Sequence, residues 1–240
     1  MPGGTAARRA LRPGDRRRDP RRADPRAAPL IAGVLLCAGS GRRFGSGRNK
    51  LLADVRGLPV VVHVLHACLA SRLGAVVAVV GADREVERVL RHTGEDARRL
   101  RLVRNPDPAR GMMSSVKTGL AAVEAMEPPS GAAMVLLGDQ PAVTPKIIDS
   151  LIETAEANPG RAVAPICEGV LRHPRVVPAA LFPAYRSLAD DAKAQPLLES
   201  LGGDLLRIPL GDPVDYADVD TAADLMRIRT PDRNRWEDRP

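Results

Sequence analysis

Hydrophobic positions along this chain fall into short continuous runs that alternate with amphipathic segments. Runs rich in Val, Leu and Ala predict strands over residues 30–37, 75–81, 100–104, 132–138, 162–166 and 205–209. Helical periodicity predicts helices over 59–69, 84–92, 114–126, 144–157 and 221–228. The helix over 144–157 is predicted to have Thr144 as its N-cap and Pro145 at its first position. Because apolar strands of this kind are buried on both faces, the alternation predicts a Rossmann-like, three-layer α/β/α fold with a mostly parallel sheet. We expect the order 3-2-1-4 for its first four strands.

A single domain is predicted over residues 30–229, and residues 167–203, which interrupt the alternation, are a candidate acceptor-side lobe. Residues 1–29 hold nine arginines and three aspartates, a net +6 of the chain's +7, without apolar periodicity. We interpret them as a disordered basic tail. The alternatives are an extension from a misplaced start codon and a segment that binds nucleic acid or anionic lipid. Without this tail the rest of the chain is nearly neutral, so its charge does not indicate a polyanion such as nucleic acid as a partner. Residues 230–240 are predicted to be a loose polar tail.

Cysteine usage and hydropathy favour a cytoplasmic protein. Cys37, Cys68 and Cys167 are widely spaced and lie in apolar runs, so neither a disulfide framework nor a zinc site is expected. The amino-terminal segment lacks the apolar region of a secretory signal. No apolar run reaches the roughly 18 residues that a membrane span needs.

A glycine-rich turn follows the first predicted strand, at residues 38–50. Glycines bring backbone N–H groups close to a ligand, and the turn also carries Arg42, Arg43, Arg48 and Lys50. This combination suits a triphosphate. No register of the turn gives a P-loop. Gly39, Gly41 and Gly45 place the third glycine one position late for a dinucleotide fingerprint, so a dinucleotide site is disfavoured.

Four segments resemble, in order, the motifs of MobA/MocA-like nucleotidyltransferases. They are L-C-A-G-S-G-R-R-F-G with N-K-L-L over residues 36–52, N-P-D-P-A-R-G-M-M-S-S over 105–115, L-G-D-Q-P over 137–141 and D-V-D-T-A-A-D-L over 218–225. The resemblance implies a fold of the nucleotide-diphospho-sugar transferase type. It also implies transfer of a nucleoside monophosphate from an NTP to a phosphorylated acceptor, with Mg²⁺ as cofactor and pyrophosphate as product.

The resemblance also implies roles for individual residues. Arg43 and Lys50 would neutralise phosphate charge, and Asp139 would bind Mg²⁺ with Asp220 as a second ligand, in preference to Asp218. The residues implied in nucleotide binding are Ala38, Gly39, Ser40, Gly41, Asn105, Gly111 and Ser115.

Simpler interpretations of these residues stay open. Asp139 could merely cap a turn before Pro141. Ser114 could replace Ser115, and either serine could be a helix N-cap. His173, before Pro174, is a weaker candidate for acceptor contact. From the order of the strands alone, Asp139 and the glycine turn are expected side by side.

The resemblance also bears on the nucleotide and the acceptor. In the family, the motif forms that Ala38 and Asp-Gln-Pro match are similar to those of cytidylyl transfer, which favours CTP over GTP. The resemblance then implies molybdopterin as acceptor and a molybdoenzyme as client. However, residues 189–195 lack the glycines of the family's Gly-Asp-x-Gly-Ala-Arg segment. Three alternatives follow: an NAD(P)-linked oxidoreductase, a non-catalytic chaperone that inserts the molybdenum cofactor, and a cytidylyltransferase for sugar phosphates or isoprenoid precursors.

Overall fold

A computed structural model of the chain describes residues 31–39, 49–94 and 98–229. The strands in these ranges are β1 Ile31–Cys37, β2 Asp54–Val55, β3 Leu58–Pro59, β4 Ala75–Val80, β5 Leu100–Arg104, β6 Ala132–Leu137, β7 Ala162–Cys167, β8 Val170–Leu171, β9 Arg175–Pro178 and β10 Leu205–Pro209. The helices are α1 Val60–Ala70, α2 Arg84–Thr93, α3 Met112–Glu124, α4 Pro145–Ala157, α5 Phe182–Ser187, α6 Gln195–Ser200 and α7 Ala222–Arg229.

One eight-stranded sheet organises the described part of the chain. Its order is β10-β7-β9-β6-β1-β4-β5, with β8 paired to β7. The β1–β4, β1–β6, β4–β5 and β7–β10 pairs are parallel, whereas β9 runs antiparallel to β6 and β7. The stretch β5-β4-β1-β6 has the predicted 3-2-1-4 order, which is confirmed.

The sheet is covered on both faces. Alternation along β1 directs Leu35 toward a cluster that includes residues of α1, α2 and α4, while Val34 packs with residues of α3 and α5. Both side chains are fully buried, and each such aliphatic side chain contributes about 1.5–3 kcal/mol of hydrophobic stabilisation. The three-layer α/β/α prediction is therefore confirmed. A smaller cluster joins α7 to the β2–β3 hairpin.

Two of the differences from the sequence prediction concern β9 and the start of α3. The sequence did not predict β9, which lies inside the main sheet although it belongs to the segment that interrupts the alternation. Helix α3 begins at Met112, so Ser114 is its third residue and the interpretation of Ser114 or Ser115 as an N-cap is wrong. The predicted cap of α4 is confirmed, since the Thr144 side chain accepts a hydrogen bond from the Ile147 amide.

The fold creates one edge at which a ligand can lie. Strands β1 and β6 are parallel neighbours, so the segments after Cys37 and after Leu137 leave the sheet side by side. Chain connections turn away in opposite directions between these two strands, and such switch points are where open α/β sheets bind ligands. None of the helices within the described ranges has the length and apolar character required to cross a bilayer.

Candidate active site

A lysine bridged by two carboxylates occupies the edge between β1 and β6. Lys50 Nζ lies 2.6 Å from Asp139 Oδ2 and 2.5 Å from Asp220 Oδ1. The Lys50 side chain is 15% exposed and that of Asp139 is 20% exposed, whereas Asp220 is 48% exposed. Three residues separated by up to 170 positions in sequence therefore meet at one point, which opens to solvent on the side of Asp220.

Short-range hydrogen bonds fix the direction of Lys50. The lysine begins a 3-10 turn that is capped by Asn49, whose Oδ1 accepts from the Leu51 amide at 3.1 Å. Asn49 is 7% exposed, and its Nδ2 donates to the Gly39 carbonyl and to Asp83 Oδ2, at 3.1 and 3.0 Å. Asn49 thereby ties together the end of β1, the start of α2 and the base of the lysine.

A backbone contact brings the two aspartates together. The Val219 amide donates to the Asp139 carbonyl at 2.9 Å, which holds residues 218–220 against the end of β6. The Asp220 amide donates in turn to Asp224 Oδ2 at 3.2 Å. Both carboxylates are therefore placed by hydrogen bonds of their own backbone segments as well as by Lys50.

Asp218 points to a different partner. Gln140 Nε2 donates to Asp218 Oδ1 at 2.9 Å and to the Tyr216 carbonyl at 3.1 Å. Burial raises the pKa of Asp218, and nearby Asp139 raises it further. Of the two candidates for a second carboxylate, Asp220 is the one that contacts Lys50, while Asp218 is held by a neutral amide.

Lys50 offsets part of the negative charge of the two aspartates. Burial lowers the pKa of Lys50, but the charges and hydrogen bonds of Asp139 and Asp220 outweigh this effect, so its pKa is raised. The Lys50 ammonium lies within hydrogen-bonding distance of one carboxylate oxygen of each aspartate. Within the described ranges no group of three or more His, Cys, Asp or Glu side chains could hold a metal. The available donor set is therefore two carboxylates, which fits Mg²⁺, since that ion keeps water and phosphate oxygens as its other ligands.

A second polar cluster surrounds the start of α3. Asn105, which follows β5, donates through Nδ2 to Ser114 Oγ at 2.8 Å and to Ser115 Oγ at 2.9 Å. All three side chains are buried. Gly111 directly precedes the helix with φ 133° and ψ 168°, a conformation that is essentially restricted to glycine. The structure thus brings Asn105 and Ser115 into direct contact, with Gly111 at the helix start.

Asp190 connects this cluster to the segment before α6. Its carboxylate pairs with Arg110 at 2.5 Å and with Lys117 at 2.7 Å, and its carbonyl accepts from the Met113 amide at 3.0 Å. The hydrogen bond from Lys117 lowers the pKa of Asp190, although desolvation opposes it. Lys117 also donates to the Leu188 carbonyl at 2.5 Å. These contacts fix residues 188–190 against the first turns of α3.

The remaining predicted site residues divide into two groups. Ala38 is buried at the end of β1 and Gly39 is exposed beyond it, with its carbonyl bound to Asn49. Ser40, Gly41 and Arg43 lie outside the described residues, as do the two predicted tails. His173 is not among the contacts of Lys50. It precedes Pro174 through a cis peptide bond and lines a separate cavity against α3.

Residues 33–205 match the MobA-like NTP transferase domain family. The chain belongs to this family. The match covers the sheet from β1 to the start of β10, including the Lys50 and Asp139 positions.

Relatives of this MobA-like domain carry more than one name. It is 31% identical over 208 residues to nicotine blue oxidoreductase of Paenarthrobacter nicotinovorans, covering 83% of this chain and 97% of that protein. It is also 34% identical over 125 residues to the bifunctional protein GlmU of Sorangium cellulosum. The aligned residues make up 51% of this chain and 25% of GlmU.

Solved structures share the fold. The crystal structure of Rv0371c from Mycobacterium tuberculosis superposes with a TM-score of 0.68 at 23% identity, covering 84% of this chain and 97% of that one. A complex of Rv0371c with manganese superposes with a TM-score of 0.64 at 21% identity, covering 83% and 97%. At these identities the likeness shows the fold of the MobA-like domain and nothing further.

Sequence reasoning did not assign four residues that shape this MobA-like site. Asn49, Gln140, Asp190 and Arg110 hold the loops around the candidate groups in place. Asn49, Gln140 and Arg110 lie inside the quoted motifs, directly beside Lys50, Asp139 and Gly111, so adjacency was the available signal. Asp190 lies in the segment where the resemblance fails, and only the fold reveals its contact with α3.

Proposed function

We propose that this protein transfers CMP from CTP to the phosphate of a molybdopterin-type acceptor and releases pyrophosphate, with Mg²⁺ as cofactor. The observation that carries the proposal is the meeting of Lys50, Asp139 and Asp220 at the switch point of a MobA-like domain. Nucleotidyl transfer needs positioning and neutralisation of charge more than covalent participation of the protein. A cation beside two carboxylates at the end of the glycine turn meets both requirements.

The proposed roles of the residues follow from their charges. The Lys50 ammonium would bind phosphate oxygens at the edge of the sheet, where negative charge would grow as the α-phosphorus is attacked. Asp139 and Asp220 would hold the metal ion, which would supply further neutralisation of the phosphates. The manganese in the Rv0371c complex supports divalent metal use in this fold. Asn105, Gly111 and Ser115 would bound the nucleoside at the start of α3.

The proposed choices of nucleotide and of acceptor both rest on the resemblance. Ala38 and the Asp139-Gln140-Pro141 form favour a cytidine nucleotide, as the motif comparison implies. The resemblance favours a molybdopterin acceptor, in spite of the altered segment at residues 189–195. Residues Gly39, Ser40, Gly41 and Arg43 would complete phosphate binding in this proposal.

A pyrophosphate-release screen tests the function. CTP, GTP, ATP and UTP are each offered with molybdopterin and with several sugar phosphates, with and without Mg²⁺. The expected result is release that needs CTP, molybdopterin and Mg²⁺ together. It should be abolished in Asp139→Asn and kept in Asp204→Asn, a control at an exposed aspartate far along the chain. Full turnover by Asp139→Asn would disprove the assignment of the metal site.

One relative favours a second candidate, an oxidoreductase that uses a nicotinamide dinucleotide. The support is the similarity to nicotine blue oxidoreductase over 97% of that protein. Against it, the Asp83 carboxylate at the end of the second parallel strand, where dinucleotide folds hold a ribose, already accepts from Asn49 and caps α2. Oxidation of NADH or NADPH by the purified protein, with nicotine blue as electron acceptor, would establish this function. We expect no turnover above the rate without protein.

A further inference from the structure

A cavity on the α3 side of the sheet is distinct from the lysine–carboxylate cluster. Its volume is about 160 Å³. Most of its wall is apolar, and the apolar lining residues are Leu36, Met112, Met113, Val116 and Val135. The polar lining consists of His173, Arg175, Tyr185, Lys193 and Gln195. Concave, mostly apolar sites with a few polar groups are typical binding sites for small molecules.

The unusual member of this lining is Arg175. It begins β9 opposite Val135 of β6, and alternation along the strand places it on the same face as Val177, which packs with α3 and α5. That position belongs to the apolar core, yet it carries a guanidinium that is only 8% exposed. Burial lowers the pKa of Arg175 from its usual value.

No carboxylate among the described residues forms a close ion pair with Arg175, although Glu199 acts on it from a longer distance and raises its pKa. Its Nε donates to the Arg172 carbonyl and its Nη2 to the Leu171 carbonyl, both at 3.0 Å. Carbonyl dipoles orient the guanidinium but do not neutralise it. The neighbouring His173 supplies no negative charge, and burial and the Arg175 charge hold its pKa well below the usual range, so it stays neutral. Buried charges are normally paired, so an unpaired one on a cavity wall indicates an anionic ligand.

The position of Arg175 relative to the cluster limits the shape of that ligand. Val135 faces Arg175 across the strand pair, and Asp139 follows Val135 by four residues on the same chain. Four residues of strand span about 13 Å, so the backbone positions of Arg175 and Asp139 lie on the order of 10–15 Å apart along the sheet. One acceptor molecule could therefore place its phosphate near Asp139 and extend across the apolar wall to Arg175.

We propose that this cavity binds the far end of the acceptor, and that this end is a flat ring system with an anionic group paired to Arg175. The assignment to an acceptor rests on the proposed function, whereas binding of such a ligand does not. Lys193, exposed at the mouth, adds positive potential along the entry path. The apolar wall formed by Met112, Met113 and Val116 would contact the ring.

The test uses 2-naphthoate as an anionic flat probe and 2-naphthylmethanol as its neutral counterpart, titrated calorimetrically into the full chain without nucleotide. Wild type should bind naphthoate saturably. Arg175→Met should weaken this binding at least tenfold and leave the weaker binding of the alcohol unchanged. Arg207→Met removes an exposed arginine from β10 and should change neither affinity. A naphthoate affinity that is the same in wild type and Arg175→Met, or no saturable binding by wild type, overturns the proposal.

A second variant covers the case in which Arg175→Met fails to fold. Met112 is 50% exposed at the cavity, so Met112→Trp can fill the mouth without burying new surface in the core. It should abolish naphthoate binding, and unchanged binding would count against the cavity. Pyrophosphate release distinguishes the two proposals. If no NTP is turned over but naphthoate still needs Arg175, the proposed function fails and the anion site stands.

Discussion

Replacing Gly111 by alanine tests how closely residues 190–191 approach the start of α3. A Cβ at Gly111 would lie 2.2 Å from the Asp190 carbonyl oxygen and 2.7 Å from Asp191 Cα. Both atoms belong to backbone, so the segment must move away and lose the hydrogen bond from the Met113 amide. We expect alanine in this conformation, which essentially only glycine adopts, to lower the free energy of unfolding by about 1–3 kcal/mol. The lost hydrogen bond adds about 1 kcal/mol, for a total of roughly 2–4 kcal/mol.

Gly160 provides the matched control for this substitution. It also has positive φ, at 82°, but a Cβ there would meet nothing within 4 Å. Gly160→Ala should therefore cost only the strain of the backbone, about 1 kcal/mol. Urea unfolding at equilibrium measures both variants against wild type. Equal destabilisation of Gly111→Ala and Gly160→Ala would refute the close approach. If the reasoning holds, Gly111→Ala should also raise the KM for the acceptor, because the displaced segment borders the cavity.

Two further predictions concern charge. Asp190→Asn should loosen the segment beside α3 and lower kcat/KM on the order of tenfold. Asp191→Asn, at the exposed neighbouring position, should leave kcat/KM unchanged. Steady-state kinetics of both variants test this prediction. Burial lowers the pKa of His173 to about 3, so the unfolded chain binds one more proton between that value and about 6.5. The free energy of unfolding is therefore unaffected by His173 above about pH 6.5. As the pH falls from 6.5 toward 3, it decreases by up to about 1.4 kcal/mol per pH unit. Urea unfolding of His173→Gln should show a shallower acid dependence than wild type, and an identical slope would contradict this burial.

The central part of the fold could be predicted because its signals are local. Continuous apolar runs identified β1, β4 and β6, a shorter run rich in Leu and Val identified β5, and parallel strands joined by helices restrict their order. Thr144 and Pro145 marked the start of α4 through the chemistry of a single turn. Each of these features depends on neighbours in sequence, so the pattern of residues was sufficient.

The strand β9 could not be predicted in the same way. It has four residues, begins with an arginine and ends with a proline, so it lacks the apolar run of the other core strands. Its place between β6 and β7 is decided by its pairing with these two strands. Such pairing produces no periodic pattern of residues within β9 itself. The charge of Arg175 is also misleading in sequence, where an arginine indicates an exposed position although the fold buries it.

The candidate site was accessible from sequence only where its residues lie in motifs. Lys50, Asp139 and Asp220 were selected by resemblance, and the structure adds that their side chains touch. The choice between Asp218 and Asp220 depended on which side chain turns toward Lys50. That direction is set by Gln140 and by the backbone contact of Val219, which spacing alone does not reveal.

Binding of Mn²⁺, followed by electron paramagnetic resonance in the presence of CTP, tests the account most directly. The account predicts one bound ion in wild type, lost in Asp139→Asn and in Asp220→Asn. It also predicts that Asp218→Asn, which alters the carboxylate held by Gln140, keeps the ion. Wild-type affinity in Asp139→Asn, or loss of the ion in Asp218→Asn but not in Asp220→Asn, would contradict the account.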